Sequence, residues 1–491
     1  MINTEGMETI MTGLTRRGFL GASVLAVAGA ATGCSSSSDN AGSAGGSGAT
    51  GSLDWWDHFS SFKHLNDDWA KSQSSALKSN VAHTYYDASK ATQSFQLAHQ
   101  ANKMPDVYSN VVGLPLSALV SGKWVHEVTL PADVKSKLPK DAFTEGITQL
   151  DGKLYGFPMF SLHQSSTLVW VNKDHWSKAG LDPNNVPSDY AAFKDALGKL
   201  KAAGIQPLTM AIGADGGRLR DQVDDMAQTA GFPGYQGLQF TTGEYAYHHD
   251  AYVTVIEFLK ELNDAKLIMP GSNNFGVVDA RTRYASGAVG TFIDGIWCAG
   301  GSKALAPTIV DKIASGQVLV PTAGANAWCY RGRPSAAYFV SATSKNPDAA
   351  GKLIASFMSE DYQNGMIEAM DQPPLNLDLV ASSKAIDAYK KGVDFCKTNV
   401  FLMPQAIVKN PAQAKVDAFR KPVTPHVGNI VQGYLGGSIS DLKAELKKLS
   451  DATTADRAQA FQKAKAAGAK VSEDDYAFTD WKPGQDYEGA K

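Results

Sequence analysis

The chain has 491 residues, 43% of them hydrophobic and 19% charged, with a net charge of −3. These are the proportions of an ordinary globular protein, slightly poor in charge, and they leave no basic field to hold nucleic acid. The one uncharged run near the N-terminus is too short, and too diluted by Gly and Ala, to supply the ~20 apolar residues of a spanning helix.

That run reads as an address. Arg16-Arg17 followed by Phe19-Leu20 resembles a twin-arginine export signal, and Gly18 to Gly33 has the character of a secretory signal. Ala31-Thr32-Gly33-Cys34 resembles a bacterial lipobox, with Ala31 where Leu is usual. Cys34 is therefore expected to carry lipid once 1–33 are removed; the alternative is a general secretory signal in which Cys34 is incidental. Residues 34–52 are almost entirely Ser, Gly, Ala, Asn and Asp. They have nothing to bury and are expected to form a flexible tether.

The remaining body of about 440 residues is long enough for two or more domains. It opens with an aromatic strand at 53–59 (LDWWDHF), then helix 62–76, strand 81–86, helix 91–101 and strand 104–112. This β-α-β-α-β alternation implies a mostly parallel sheet covered by helices. Asp151-Gly152 marks a hairpin within 150–160. Strand 167–172 (TLVWVN) is apolar enough to be buried, and helices at 174–179 and 189–203 end at Gly180 and Gly204. Strand 207–212, the amphipathic helix 252–265, strand 288–293, strand 337–341, helix 348–358 and a helical region over 441–468 follow. No internal repeat is visible.

Signatures of catalysis are missing from the sequence: there is no GxSxG, no GxxxxGK[ST] and no HExxH. His248-His249 are adjacent, so they point to different sides and read as surface histidines rather than metal ligands. Gly213 to Gly217 lacks the GxGxxG pattern and reads as a plain strand-to-helix turn. If Cys34 carries lipid, Cys298, Cys329 and Cys396 remain, and two readings stand: a Cys298–Cys329 bridge or buried thiols. No cofactor and no metal are expected.

Four segments carry a family resemblance. They are Lys103-Met104-Pro105-Asp106-Val107; Asp151-Gly152-Lys153-Leu154-Tyr155-Gly156-Phe157-Pro158 followed by Leu168-Val169-Trp170-Val171-Asn172-Lys173-Asp174; Ala285-Ser286-Gly287-Ala288-Val289-Gly290 running to Trp297; and Ser344-Lys345-Asn346-Pro347-Asp348-Ala349-Ala350 with Phe357. In this order and spacing the body resembles the extracellular solute-binding lipoproteins of sugar ABC transporters, the maltose-binding-protein-like branch. The resemblance implies an α/β, two-lobed periplasmic-binding-protein-like fold of type II, with mixed sheets, covering helices and a multi-segment hinge. It implies one lobe from 53–160 and 289–340 and another from 161–288 and 341–491. It also implies a non-enzymatic monomer that captures a carbohydrate between the lobes, an oligosaccharide by preference, and docks on membrane permease subunits, with the lipid on Cys34 holding it to the outer face of the membrane. Alternatives are a binder of a non-sugar solute on the same fold, and a surface-anchored glycoside hydrolase.

A sugar binder needs aromatic plates for C–H faces and planar polar groups for hydroxyls. By resemblance, Trp297 stacks on a sugar ring and Asp294, on the same turn, accepts hydroxyl hydrogen bonds; the alternatives are a core Trp and a turn-forming Asp. Trp56, Asp57 and His58 end the first strand where ligand contacts are expected, although one of Trp55 and Trp56 must face the core. Ser109 and Asn110 follow the third strand, and His163 and Gln164 lie in the first crossing between lobes. Arg218 and Arg220 stand where an aromatic is common, which points to an acidic or highly hydroxylated ligand or to a solvated basic turn. Arg331 and Arg333, before Ser335, are similar but weaker candidates.

Overall fold

The computed structural model describes residues 51–213 and 216–488. The signal 1–33, Cys34 and most of the tether lie outside the described residues. Two sheets, each with its own apolar core, organise the body.

The first sheet grows from Ser52–Asp57, in which Leu53, Trp55 and Asp57 face inward and alternate with outward Ser52 and Asp54. It pairs in parallel with Asn80–Tyr85 and with Val107–Ser109. Tyr338–Val340 then joins antiparallel to Val107–Ser109, and Gly156–Phe157 pairs antiparallel with Tyr338–Val340 at the edge. Trp55 is the core member of its pair, with its ring centre 5.0 Å from Phe357 and 5.9 Å from Tyr338. Trp56 packs on the opposite face, 4.9 Å from Tyr86 and 5.7 Å from Phe95. The Asp151-Gly152 hairpin forms between Gln149–Leu150 and Lys153–Leu154. Both turn residues have positive φ, 54° and 73°, the geometry that makes Asp-Gly a favoured hairpin pair.

The second sheet is centred on Leu168–Asn172, buried at every position. Thr291–Asp294 and Ile313–Gly316 flank it antiparallel, and Leu208–Thr209 joins in parallel to Thr291–Asp294. Helices Tyr190–Ala202, Gly217–Thr229 and Asp250–Asp264 cover it with apolar stripes that include Phe193, Leu197, Leu219, Val223, Val255 and Leu259. Asp189 caps the first of these by accepting from Ala192 N at 2.9 Å. His249 caps the third through Nδ1 and His248 bonds Ser450 Oγ, so both histidines serve local structure.

The division of the chain differs from the one the resemblance implied. Segment 289–340 was expected with the first lobe, yet Thr291–Asp294 and Ile313–Gly316 are hydrogen-bonded on either side of Leu168–Asn172. Their side chains Phe292, Ile293 and Ile313 fill the second core. Conversely, 341–491 was expected in the second lobe, but Leu353, Ile354, Phe357, Tyr362 and Met366 belong to the first core. The chain therefore passes from the first core to the second after Phe160, returns between Arg331 and Ala336, and leaves again near Ile367.

Beyond these crossings, Val400–Leu402 pairs in parallel with Cys329–Arg331, and the 25-residue helix Leu442–Ala466 starts at an Asp441 cap. Cys298, Cys329 and Cys396 are buried free thiols, which settles the two readings in favour of buried thiols. Burial pushes the Cys396 thiol up to about 12.

Candidate functional site

Thr291–Asp294 ends in a sharp turn through Gly295, Ile296 and Trp297 into the helix Cys298–Leu305. Glycine is required there: a Cβ on Gly295 would sit 2.2 Å from Trp297 Cζ2, so only a bare backbone lets the indole fold back over the turn. Trp170 Nε1 donates to the carbonyls of Asp294 and Gly295 at 3.1 and 3.2 Å, and Ile296 N donates to Ser165 O at 3.1 Å. The turn is thereby tied to both the central strand and the first crossing.

Trp297 is half-buried, and its Nε1 donates to Asp294 Oδ1 at 3.2 Å. Arg218, on the first turn of Gly217–Thr229, lays its guanidinium 4.7 Å from the centre of the Trp297 ring. Asp294 departs from its expected role as an acceptor of ligand hydroxyls. It is 0% exposed, and Arg281 Nε and Nη2 donate to its Oδ2 at 3.0 and 2.6 Å. A carboxylate at the end of a central strand is left in the interior, and Arg281 is what makes that tolerable. Sequence reasoning missed Arg281. Its signal was its place on the apolar face of Val277–Ala285, beside Ala280, Tyr284 and Ala285.

Around this turn lie the first crossing and the third. Gln164 Nε2 donates to Gln372 Oε1 at 3.4 Å, and its own Oε1 is buried without a partner among the described residues. Asp371, 7% exposed, has its carboxyl pushed up to about 6 by burial, with the Ser61 hydroxyl and Arg281 working the other way. Ser61 belongs to the 3-10 turn Ser60–Phe62 of the first lobe, which packs on the helix Cys298–Leu305. His163 faces the C-terminal segment, with Nδ1 at 2.5 Å from Val400 O.

On the first lobe, Asp57 also departs from expectation. It is 0% exposed and accepts from Asn66 Nδ2 (2.5 Å), Tyr338 OH (3.0 Å) and Phe59 N (3.2 Å), with His83 Nε2 at 3.1 Å. It is an internal anchor, not a ligand contact. His58 Nδ1 and Ser109 Oγ lie 2.7 Å apart, with Ser109 fully buried. Burial pushes the His58 imidazole down to about 4, against the pull of Asp57. Asn110 donates from Nδ2 to Ala336 O at 3.1 Å.

The remaining arginines do not join the Trp297 turn. Arg220 pairs with its neighbour Asp221 at 3.0 Å. Arg333 reaches the carbonyls of Tyr487 and Glu488 at 3.4 Å. Arg331 is paired with Asp225. That aspartate, also missed, accepts from Ser165 Oγ, Ser166 N and Thr167 Oγ1 through Oδ2 at 3.2, 3.0 and 2.9 Å. It binds two of the three crossings to the helix Gly217–Thr229. Among the described residues no group of three or more His, Cys, Asp or Glu could hold a metal ion. A concavity of about 520 Å3 lined by Tyr245, His248, His249, Lys443 and Arg457 contains none of the expected site residues.

Residues 72–393 match the family described as bacterial extracellular solute-binding protein. The chain belongs to this family. It is thus an exported binding protein, not an enzyme. No curated protein sequence matches this solute-binding protein. Among solved structures, an ABC transporter solute-binding protein from Thermotoga lettingae bound with α-D-tagatose superposes with a TM-score of 0.62 at 17% identity, over 82% of this chain and 99% of that one. The GacH receptor of Streptomyces glaucescens, studied unliganded and with acarbose, gives 0.59 at 19% identity over 84% and 98%. The maltotriose binding protein of Thermus thermophilus bound with maltotriose gives 0.60 at 16% identity over 83% and 100%. These likenesses establish the mixed α/β periplasmic-binding-protein fold.

Proposed function

We propose that this solute-binding protein serves an ABC importer and captures a carbohydrate between its two lobes, against the Trp297 turn, before docking on the membrane permease subunits. The observation that carries this reading is the half-buried Trp297 indole at the end of a central strand, with the planar side chain of Arg218 beside it and those of Gln164 and Gln372 on the crossings around it. An aromatic plate bordered by planar hydrogen-bonding groups is what a sugar's C–H face and hydroxyl rim require. The crossings on either side of the turn supply a hinge, and a ligand that contacts both lobes favours the closed form by its differential affinity. Support for the solute class also comes from fold relatives that bind tagatose, acarbose and maltotriose.

His58, Asn110 and Trp56 are the proposed contacts from the first lobe, and His163 and Gln164 those from the crossing. Cys34 is the proposed lipid attachment that keeps the monomer beside its permease. Thermal-shift screening of the purified protein against mono- and oligosaccharides tests the reading, since a ligand of the folded state raises stability by RT ln(1 + [L]/Kd). A shift with a saccharide is expected. A shift only with amines or other non-sugar solutes contradicts it. For the anchor, a Cys34→Ser variant is expected to leave the membrane fraction.

A further inference from the structure

We propose that the carbohydrate is anionic, a uronate-type saccharide whose carboxylate pairs with Arg218 while its ring takes the face of Trp297. This rests on the carbohydrate reading above and narrows its solute class. Among the described residues Arg218 has one ionic contact, the long one to Asp294, and makes no hydrogen-bonded ion pair. Its side chain is 19% exposed, so most of it has been drawn out of water. Its guanidinium rests on the Trp297 ring at 4.7 Å. Yet its Nε is buried with no hydrogen-bond partner among the described residues. The nearest carboxylate oxygen, Asp294 Oδ1, is 3.9 Å away, beyond hydrogen-bond reach.

Asp294 is not available to close that gap. Its Oδ2 takes two donors from Arg281, and its Oδ1 takes Trp297 Nε1. Asp371, the other carboxylate of this cluster, has its charge partnered by Arg281. Asp221 serves Arg220. Among the described residues, one guanidinium therefore lies on the aromatic plate with the ring quadrupole and a long contact to an already shared carboxylate to offset it.

A neutral sugar seated on Trp297 must either push this cation off the ring or seal it from water with only the long Asp294 contact as counter-charge, and burying a poorly paired charge is costly. A carboxylate on the sugar removes that cost. The planar fork of arginine matches a carboxylate through two parallel hydrogen bonds, and the guanidinium can swing with it to free the ring face. The positive end of the Gly217–Thr229 helix, where Arg218 stands, adds to the same preference.

Calorimetric titration of the full-length protein with trigalacturonate, oligoglucuronate and oligomannuronate, each beside its carboxyl-reduced counterpart, isolates the charge from ring and linkage. At least one acidic member is expected to bind about 10- to 100-fold more tightly than its reduced counterpart, the scale of one charge-assisted contact. Arg218→Gln is expected to erase that ratio, and Arg218→Lys, which keeps the charge but loses the fork, to retain part of it. The lysine variant decides the matter if the glutamine variant melts abnormally. Reduced members that bind as tightly as the acids, or a ratio that survives Arg218→Gln, overturn the proposal. Binding of neutral saccharides alone overturns the anionic assignment and leaves the carbohydrate reading standing. Binding of no saccharide overturns both.

Discussion

The strand ends at Asp57 and at Asp294 look alike in the sequence, each placing an aspartate within three residues of a tryptophan at the mouth of a sheet. Their wiring differs. Asp57 shares a strand face with Leu53 and Trp55, so it points inward and is satisfied by Asn66 and Tyr338 from its own lobe. Asp294 is equally buried, but it sits among two arginines and the indole of Trp297, with Arg218 held only by a long contact of 3.9 Å. The first arrangement is closed on itself. The second keeps unspent hydrogen-bonding capacity and an aromatic face, as a binding turn needs.

Removing either carboxylate sharpens the contrast. Asp57→Ala strips the shared acceptor from Asn66, Tyr338 and His83 and is expected to cost about 3–5 kcal/mol of stability by denaturant titration. A loss below about 1 kcal/mol would make Asp57 a surface residue in practice. Asp294→Asn leaves Arg281 short of its ion-pair partner, with Asp371 still near it. About 2–4 kcal/mol should be lost, together with saccharide affinity, because the turn that aims Trp297 loosens.

Trp297→Ala divides the two turns by function. It is expected to weaken saccharide binding by about 2–4 kcal/mol, as a central aromatic contact does. The melting temperature should fall much less than in Asp57→Ala, because the ring is only half-buried. Normal binding by this variant would remove the stacking role.

The smallest effect expected is in pH. His58 is held at about 4 against 6.5 when unfolded. Between those values the unfolded chain binds more protons, so stability rises with pH there. The contribution of neutral His58 is complete above 6.5 and is lost as pH falls toward 4. For a ring that keeps some contact with water, about 1–2 kcal/mol over that window is expected. His58→Gln should flatten the slope of stability against pH, and an unchanged slope would place the acid sensitivity elsewhere.

Local signals made much of this legible. The strand period divides Trp55 from Trp56, and it also puts Asp57 on the face of Leu53 and Trp55, which the expectation of a ligand contact at Asp57 overlooks. Gly180 and Gly204 end their helices at φ 73°, where glycine is favoured. What failed was non-local. Nothing near Asp57 in sequence announces Tyr338, 281 positions away. The resemblance places a lobe boundary at 288/289, inside the motif running to Trp297, although the strand of that motif pairs with Leu168–Asn172 across more than a hundred residues. Arg281 lay in plain view on an apolar helix face, where a charge has to find a partner, but the partner's identity came only from the fold.

The central claim is that the turn at Trp297 is the solute site, and a crystal structure of the protein with the saccharide that most raises its melting temperature tests it directly. A sugar ring stacked on Trp297 is expected, with the Arg218 guanidinium moved from the 4.7 Å stacked position onto the sugar. A sugar bound elsewhere, such as in the concavity lined by Tyr245, His248 and Arg457, with Trp297 still covered by Arg218, would contradict it.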